Sequence, residues 1–384
     1  MPSSWVEIDL GALRHNYNQA LARLGPRTSV VGVVKSDAYG HGMVPVAREM
    51  AACGAAFLAV SKYWEAGELR ENGIELPILV LLGLEPQEVE DAIRSRVRPA
   101  VFRLDHARRI SEGATRLGMP APVHIKVDPG MGRLGVPVDE LHALLTELKA
   151  LPGIILEGVL SHFAVADETD KSYSEYQVER FRQALQMVAA SGFDISYAHI
   201  SNSAGILDLP HAHFQLVRPG IMLYGSPPSM ELDHPAHLLP VMAFKSNILQ
   251  LKEVPAGHPI GYGRTYVTEK TTKIATVPVG YDDGYSRLLS NRGSVLVRGR
   301  RAPVVGRVSM NLITLDVTHI PAVKEDDEVV LLGAQGNERI SAEELADLSG
   351  TISYEVYCSI GHHRFKTFFN ETPSSLAPHP TADI

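Results

Sequence analysis

A lysine at the end of an apolar run has the surroundings of a reactive amine. Residues 30–34 are too short an apolar run for a helix and are typical of a buried strand, and Lys35 follows them directly. Where a strand leaves the core, partial desolvation lowers the pKa of an amine, and the neutral amine can form a Schiff base with a carbonyl carbon. The alternative is an ordinary surface lysine. The glycine-rich turn at residues 36–42, which contains Tyr39, favours the interpretation of Lys35 as a reactive amine.

Cationic residues and a histidine follow two later apolar runs. The segment 124–135 (HIKVDPGMGRLG) has Lys126 inside its apolar part and Arg133 in a glycine-rich loop. Arginine suits bidentate recognition of a carboxylate, although an internal Lys126–Asp128 pair and a surface Arg133 are the alternative. His162 ends another run (SHFA), and its interpretations as a core histidine and as a cofactor contact are equally open.

Small residues after the last two runs are typical of an anion site. Ser203 lies in SNSAG and Arg218 precedes Pro-Gly-Ile, so the Ser203 hydroxyl and the amides around Gly220 and Ile221 could hold a phosphate. Ordinary turn chemistry is the alternative. Further along the chain, Tyr262 and Tyr281 are flanked by glycines that leave them room to point into a cleft, although tyrosine is also a common strand residue.

A repeated unit of short strand, polar turn and amphipathic helix must position these residues. Eight such units predict an α/β fold, a TIM-like (β/α)8 barrel, with chemistry at the C-terminal ends of its strands. The predicted strands are 29–35, 56–60, 77–82, 99–102, 123–128, 156–162, 197–201 and 215–217. An earlier strand at 5–10 and a helix at 13–24 precede them.

The helical pattern stops at about Pro228, which divides the chain into a barrel at 1–228 and a mostly-β domain at 229–384. Its predicted strands are 241–254, 273–279, 294–297, 302–317 and 328–332. One short helix is predicted after Ser341, where Glu344 completes a capping box. The proline-rich tail from Thr372 is predicted to be loose.

Composition limits the possible partners. The 384 residues are 45% hydrophobic and 21% charged, enough for a large ordered core, and the net charge of -8 includes no basic block that would bind nucleic acid. Cys53 and Cys358 form neither a disulfide framework nor a metal-finger pattern. Without a recognisable signal peptide or a membrane-spanning stretch, we expect a cytoplasmic protein with a small-molecule substrate and no membrane partner.

Eight motifs carry a family resemblance. They are VVKSDAYGHG, KVDPGMGRLGV, SHFA, SNSA, VRPGIMLYG, GYGRTY, VPVGYDDGY and GRVSMN, between Val33 and Asp316. In order and spacing they resemble the alanine racemases, fold-type III enzymes that use pyridoxal 5'-phosphate (PLP). The resemblance implies an isomerase that interconverts L-alanine and D-alanine for peptidoglycan. It also implies a homodimer whose active sites are shared between subunits.

The resemblance also implies catalytic roles. Lys35 would hold PLP and act as the base on the D-side, and Tyr262 of the partner subunit would act on the L-side with help from His162 and Arg218. Two bases on opposite faces are what inversion requires. Arg218 would contact the pyridine nitrogen, and because arginine does not act as an acid near neutral pH, it would leave that nitrogen unprotonated.

Binding roles follow from the same resemblance. Arg133 would lie near the phenolic oxygen of the cofactor and the substrate carboxylate, and Lys126 matches a position that is often carbamylated. The remaining matches are the phosphate-binding residues Tyr39, Ser203, Gly220 and Ile221, and the substrate-pocket residues Tyr281 and Met310, which the other subunit contributes.

Two positions depart from the family pattern. Asn311 stands where an aspartate is common, and His362 aligns with a tyrosine expected to contribute to phosphate binding and to the site entrance. A racemase of serine or of broader specificity therefore stays an alternative. We expect no metal site, because the pair His362-His363 has no evident third ligand.

Three other functions remain as alternatives. A PLP-dependent decarboxylase of similar design is disfavoured because decarboxylation profits from a protonated pyridine and needs no second base, in contrast to Arg218 and Tyr262. A non-catalytic PLP-binding protein of the single-barrel kind would lack the β domain. A barrel without any cofactor would leave the residues at the strand ends unexplained.

Overall fold

The computed structural model describes residues 3–363 and 365–372. The strands are β1 (Ser4–Asp9), β2 (Ser29–Val33), β3 (Phe57–Val60), β4 (Ile78–Val80), β5 (Arg98–Val101), β6 (Ala121–Asp128), β7 (Val136–Pro137), β8 (Ile154–Leu160), β9 (Tyr197–His199), β10 (Leu216–Val217), β11 (Met242–Asn247), β12 (Gln250–Val254), β13 (Pro259–Ile260), β14 (Tyr266–Val267), β15 (Thr272–Val277), β16 (Ser294–Val297), β17 (Arg300–Pro303), β18 (Ile313–Asp316), β19 (Glu328–Gln335), β20 (Glu338–Ile340) and β21 (Lys366–Phe369). The helices are α1 (Leu10–Leu21), α2 (Met43–Ala52), α3 (Tyr63–Glu71), α4 (Val89–Arg94), α5 (Leu104–Leu117), α6 (Leu141–Lys149), α7 (Ser172–Ala190), α8 (Ser203–Asp208), α9 (Ala342–Ser349) and α10 (Ser353–Gly361).

Eight parallel strands form the predicted barrel. They are hydrogen-bonded in the order β10-β2-β3-β4-β5-β6-β8-β9, and each overlaps one of the predicted ranges. The barrel is nearly closed: β9 and β10 lie side by side, and the Gln215 amide donates to the Ala198 carbonyl at 3.2 Å. Runs such as VVGV and FLAV form these strands because β-branched and aromatic side chains suit a sheet that is buried on both faces.

Helices cover the outside of the barrel through one apolar face each. Leu141, Leu144, Leu145 and Leu148 of α6 are buried at helical spacing. Within the described ranges, no helix combines the length and apolar character needed to cross a bilayer.

The second unit is mostly β, as predicted, and its main sheet includes the first strand of the chain. The order in this sheet is β17-β16-β19-β11-β1-β21. β1 is antiparallel to β11 and parallel to β21, and its alternate side chains Val6 and Ile8 are buried. Residues 4–9 therefore lie in the sheet of the β domain although they precede the barrel in the sequence.

The β domain differs from the prediction in its details. The predicted strands 241–254 and 302–317 are each divided into two strands by a loop, and α10 was not predicted. The Ser341 side chain caps α9 by accepting the Glu344 amide at 3.1 Å, but the Glu344 carboxylate pairs with Arg301 at 2.6 Å. The predicted loose tail lies almost wholly outside the described residues.

Candidate active site

Lys35 leads into one turn of left-handed backbone. Residues 36–39 have φ between 52° and 55°, and none of them is glycine. Left-handed turns of L-residues cost roughly 1–2 kcal/mol per residue, so surrounding contacts must hold this one. The Ala38 amide donates to the Val34 carbonyl at 2.9 Å and the Gly40 amide to the Ser36 carbonyl at 3.0 Å. At Gly40 a Cβ atom would lie 2.5 Å from the Tyr357 carbonyl oxygen, so the turn packs directly on α10.

Two carboxylates stabilise the turn from either side. The buried Glu65 of α3 accepts hydrogen bonds from the amides of Ser36 at 2.6 Å and Ser61 at 2.7 Å, which joins the ends of β2 and β3. Asp37 accepts the Met43 amide at 2.6 Å and pairs with Lys366 at 2.6 Å. The backbone that carries Lys35 is thus fixed before any ligand binds.

The strand ends collect positive charge. Burial lowers the pKa of the Lys35 amine and the Arg133 charge lowers it further, while Glu65 partly offsets both. Burial, with the charges of Arg218 and Arg133, lowers the pKa of Lys126 to about 7. A cluster of cations at the mouth of the barrel attracts anionic ligands, and mutual repulsion with burial favours the neutral, nucleophilic form of its amines.

Arg218 is the buried centre of this cluster. One terminal nitrogen donates to Nδ1 of His199 at 2.8 Å and to the His199 carbonyl at 3.0 Å. The other donates to the Ser161 carbonyl, to the Ile200 carbonyl at 3.2 Å and to Nδ1 of His162 at 3.2 Å. Among the described residues, the Nε–H group has no acceptor, so it is the one donor of the guanidinium that remains for a ligand.

His162 is neutral in this arrangement. Burial and the neighbouring Arg218 charge hold its pKa well below the usual range. Because arginine only donates hydrogen bonds, Nδ1 of His162 must be the acceptor, and the single ring proton is on Nε2. His162 can therefore donate one hydrogen bond from Nε2.

The predicted phosphate-binding residues meet between β9 and β10. Ser203 Oγ accepts the amides of Gly220 at 3.0 Å and Met222 at 3.4 Å, which leaves its hydroxyl hydrogen to donate elsewhere. A Cβ atom at Gly220 would lie 2.5 Å from the Tyr39 hydroxyl oxygen, so only glycine lets that hydroxyl approach the backbone. Burial raises the pKa of Tyr39, which therefore stays a neutral donor.

Three predicted site residues lie instead in the β domain, with exposed side chains. The exposed fractions are 73% for Tyr262, 44% for Tyr281 and 54% for Met310. Tyr262 stands between Gly261 and Gly263, both at positive φ. A Cβ atom at Gly280 would lie 2.1 Å from the Met310 carbonyl oxygen, which shows that the Tyr281 turn packs directly on the Met310 segment.

Comparison with known proteins identifies the family. Residues 8–228 match the family described as alanine racemase, N-terminal domain, and residues 241–368 match alanine racemase, C-terminal domain. An alanine racemase of Syntrophobacter fumaroxidans is 66% identical over 375 residues, which cover 98% of this chain and all of the relative. The chain belongs to the alanine racemase family. It is an amino-acid racemase with the predicted fold, and its family assignment supports alanine as the substrate.

Solved alanine racemases have the same overall architecture. That of Clostridium difficile 630 superposes with a TM-score of 0.92 at 38% identity, covering 97% of both chains. The enzyme from Bacillus anthracis, described with bound L-Ala-P, gives a TM-score of 0.89 at 37% identity and covers 97% of this chain and 96% of its own.

The predicted site residue His362 lies just beyond α10. α10 ends at Gly361, and His362 follows it with an exposed side chain. At the other end of α10, the Tyr354 ring packs against that of Tyr39 in a tilted arrangement with centroids 5.9 Å apart, and burial raises the pKa of Tyr354. Tyr354, which sequence reasoning missed, thus places an aromatic ring from α10 beside Tyr39, one of the predicted phosphate-binding residues.

Asn311 has a carboxylate nearby. Its Nδ2 lies 3.4 Å from an oxygen of Asp282, which is next to Tyr281. The Asn311 amide therefore lies within reach of a neighbouring acid.

Proposed function

We propose that this alanine racemase uses PLP held covalently by Lys35 and inverts the α-carbon with two bases, in a homodimer that shares its active sites. The observation that carries the proposal is the meeting of Lys35, Arg218 and the Ser203–Gly220 pair at the C-terminal strand ends. These groups match the three parts of PLP: its carbonyl carbon, its ring nitrogen and its phosphate.

The cofactor fits the polar groups that the barrel leaves available. We assign the Nε–H of Arg218 to the ring nitrogen. For the phosphate we assign the hydroxyls of Ser203, Tyr39 and Tyr354 with the amide of Ile221, and Tyr354 replaces His362 in this role. The Gly220 amide donates to Ser203 Oγ and so helps to hold that hydroxyl in place. When bound, PLP supplies an electron-withdrawing ring that weakens the α-C–H bond of the amino acid. Because arginine holds its protons near neutral pH, Arg218 keeps that withdrawal moderate.

The two bases act from opposite faces of the α-carbon. Lys35 takes or returns the proton on the D-side, and Tyr262 of the partner subunit does so on the L-side. A tyrosine with an ordinary pKa near 10 needs stabilisation of its anion to act as a base at neutral pH. His162 supplies it, because its Nε2–H donates while Nδ1 accepts from Arg218.

Lys126 is proposed to carry a carbamate. With its pKa lowered to about 7, a large fraction of the amine is neutral at neutral pH and can form an N–C bond to CO2, with one amine proton released to solvent. The resulting anion would replace a repulsive cation between Arg133 and Arg218 with an attractive partner. Arg133, which is otherwise exposed, would then be held in place to bind the substrate carboxylate.

The partner subunit is proposed to complete the pocket. Tyr281 and Met310 are large, exposed and held by glycine-rich turns, which suits residues that line a pocket in another copy of the chain. A small pocket would favour alanine, and its product would serve peptidoglycan synthesis in the cytoplasm. The amide at Asn311 is the specific observation that keeps serine, with its hydroxyl, as a second candidate substrate.

Proton NMR in D2O tests this function. Each enantiomer of alanine and serine is incubated with the PLP-loaded protein, and loss of the Cα proton is followed together with chiral composition. Exchange with inversion from both alanine enantiomers is expected. Exchange with retention would remove Tyr262 as a base. No exchange despite bound PLP would indicate a decarboxylase or a PLP-binding protein. Serine turnover equal to that of alanine would establish broad specificity.

A further inference from the structure

A chain of buried side chains runs from Arg218 through the interior of the barrel. Arg218 donates to Nδ1 of His199, and Nε2 of His199 lies 2.9 Å from Nδ1 of His124. Nε2 of His124 lies 3.2 Å from an Oε2 atom of Glu157, which also lies 3.2 Å from Nε of Arg98. His124 and His199 are both fully buried, and the chain runs from the residue after β10 through β9, β6 and β8 to β5.

Hydrogen-bonding rules fix every proton in this chain. Arginine only donates, so Nδ1 of His199 must accept and its ring proton must be on Nε2. That proton is donated to Nδ1 of His124, which forces the ring proton of His124 onto Nε2 as well. Glu157 accepts that last proton. Both histidines in this hydrogen-bonded chain must therefore be neutral, each with its ring proton on Nε2. Every hydrogen bond along it is donated in the direction from Arg218 toward the Glu157 carboxylate.

The backbone of the barrel leaves space for His124 in this hydrogen-bonded chain. The pairing of β6 with β8 shifts register between Val123 and His124, which sets His124 opposite Gly158. A Cβ atom at Gly158 would lie 2.6 Å from Nδ1 of His124, so only glycine leaves room for the ring. Backbone irregularity and a glycine at one point indicate that the position of His124 is specified by the fold.

The pKa shifts of the three groups agree with these protonation states. Burial raises the pKa of the Glu157 carboxyl, but the His124 hydrogen bond and the Arg98 charge outweigh it and keep the net pKa below its usual value. Burial lowers the pKa of His124 and, together with the Arg218 charge, holds that of His199 well below its usual range. An ionised Glu157 and two neutral imidazoles are the consistent state.

We propose that Glu157 and His124 are positioning residues for Arg218. The carboxylate fixes the tautomers of two imidazoles, and these orient the guanidinium so that its Nε–H faces the ring nitrogen of the cofactor. This inference rests on the proposed function, because it assigns that contact to Arg218. Hydrogen bonds in a low-dielectric interior polarise one another, so an effect at Glu157 reaches Arg218 through the two rings.

A double-mutant cycle tests the connection in the PLP-loaded enzyme. Glu157→Gln is expected to lower kcat about tenfold, the value of one hydrogen bond to a charged group, while changing KM less than about twofold. It should also shift the absorbance band of the bound cofactor. In an Arg218→Lys background the same change should have little further effect. Glu147→Gln is the control, because Glu147 forms an exposed pair with Arg108 at 3.0 Å and should change nothing.

An equal effect of Glu157→Gln in both backgrounds would show a merely structural role, and no effect in either would overturn the proposal. The unsubstituted enzyme gives a second test by NMR of 15N-labelled histidine, with signals assigned from His124→Gln and His199→Gln. Both rings should be neutral and protonated at Nε2 across neutral pH, and a cationic His124 would contradict the chain. Failure of the proposed function is distinguishable, since the unsubstituted protein would then bind no PLP or exchange no α-proton.

Discussion

The barrel end and the exposed residues of the β domain contribute different halves of the candidate site. At the barrel end, Lys35 and Arg218 are held by buried partners within one chain. In the β domain, Tyr262 and Tyr281 lie on glycine turns and are largely exposed. Under the proposed function, one chain would preorganise cofactor capture by itself, whereas the second base would be ordered by another surface. The predictions below separate these two halves.

The largest effect is expected at the barrel half. Lys35→Ala should reduce racemisation to background and remove the covalent absorbance band of the cofactor, because no other amine occupies the end of β2. The matched control is Lys62→Ala, an exposed lysine at the start of α3. Retention of the band in Lys35→Ala would assign the covalent link to another lysine.

At the other half, Tyr262→Phe should lower racemisation by roughly 100- to 10,000-fold, the usual contribution of a positioned base. PLP binding should be unchanged, and α-proton exchange from D-alanine should persist because Lys35 is intact. The exchange and inversion assay in D2O measures both effects. Tyr266→Phe, four residues along the same segment, is the control. Equal loss of exchange from both enantiomers would contradict the assignment of faces.

Mixed subunits distinguish a shared site from a site within one chain. Inactive Lys35→Ala and Tyr262→Phe subunits, mixed under conditions that allow exchange, should recover about one quarter of the unsubstituted activity, since half of the randomly formed dimers contain one intact site of two. Each variant mixed with itself is the control. If no activity returns while mixed dimers form, both residues act within the same chain.

A smaller effect is expected where only binding is disturbed. Gly220→Ala should weaken PLP binding about tenfold or more, because the new methyl group would displace the Tyr39 hydroxyl and cost at least one hydrogen bond to the phosphate. Titration of cofactor fluorescence measures the dissociation constant. Gly25→Ala, where a Cβ atom meets nothing within 4 Å, is the control. Unchanged affinity would remove Tyr39 from the phosphate site.

The smallest effect is expected at Asn311. Asn311→Asp should change the ratio of alanine to serine turnover by less than about threefold, because Asp282 already places a carboxylate at this point and a surface charge pair contributes little. Parallel kcat/KM measurements on both substrates check this. A tenfold gain in alanine preference would make Asn311 a determinant of specificity.

Local patterns predicted much of the barrel but less of the site. The apolar run before Lys35 and the polar residues after the strands were sufficient to predict that these side chains lie together, because the strand ends of a parallel barrel share one face. α10 was missed because its aromatic and β-branched residues do not suggest a helix, and Tyr354 was missed with it. The contact of His124 with His199 depends on which strands are neighbours and in what register, and neither is local information.

The position of β1 has a consequence for the order of folding. This strand pairs with β11, which begins at Met242, and with β21, which begins at Lys366. During synthesis the first strand therefore leaves the ribosome long before either neighbour exists, while all eight barrel strands have emerged by Val217. The barrel can form first, and its closure brings residues 4–9 to the place where the last part of the chain completes the sheet.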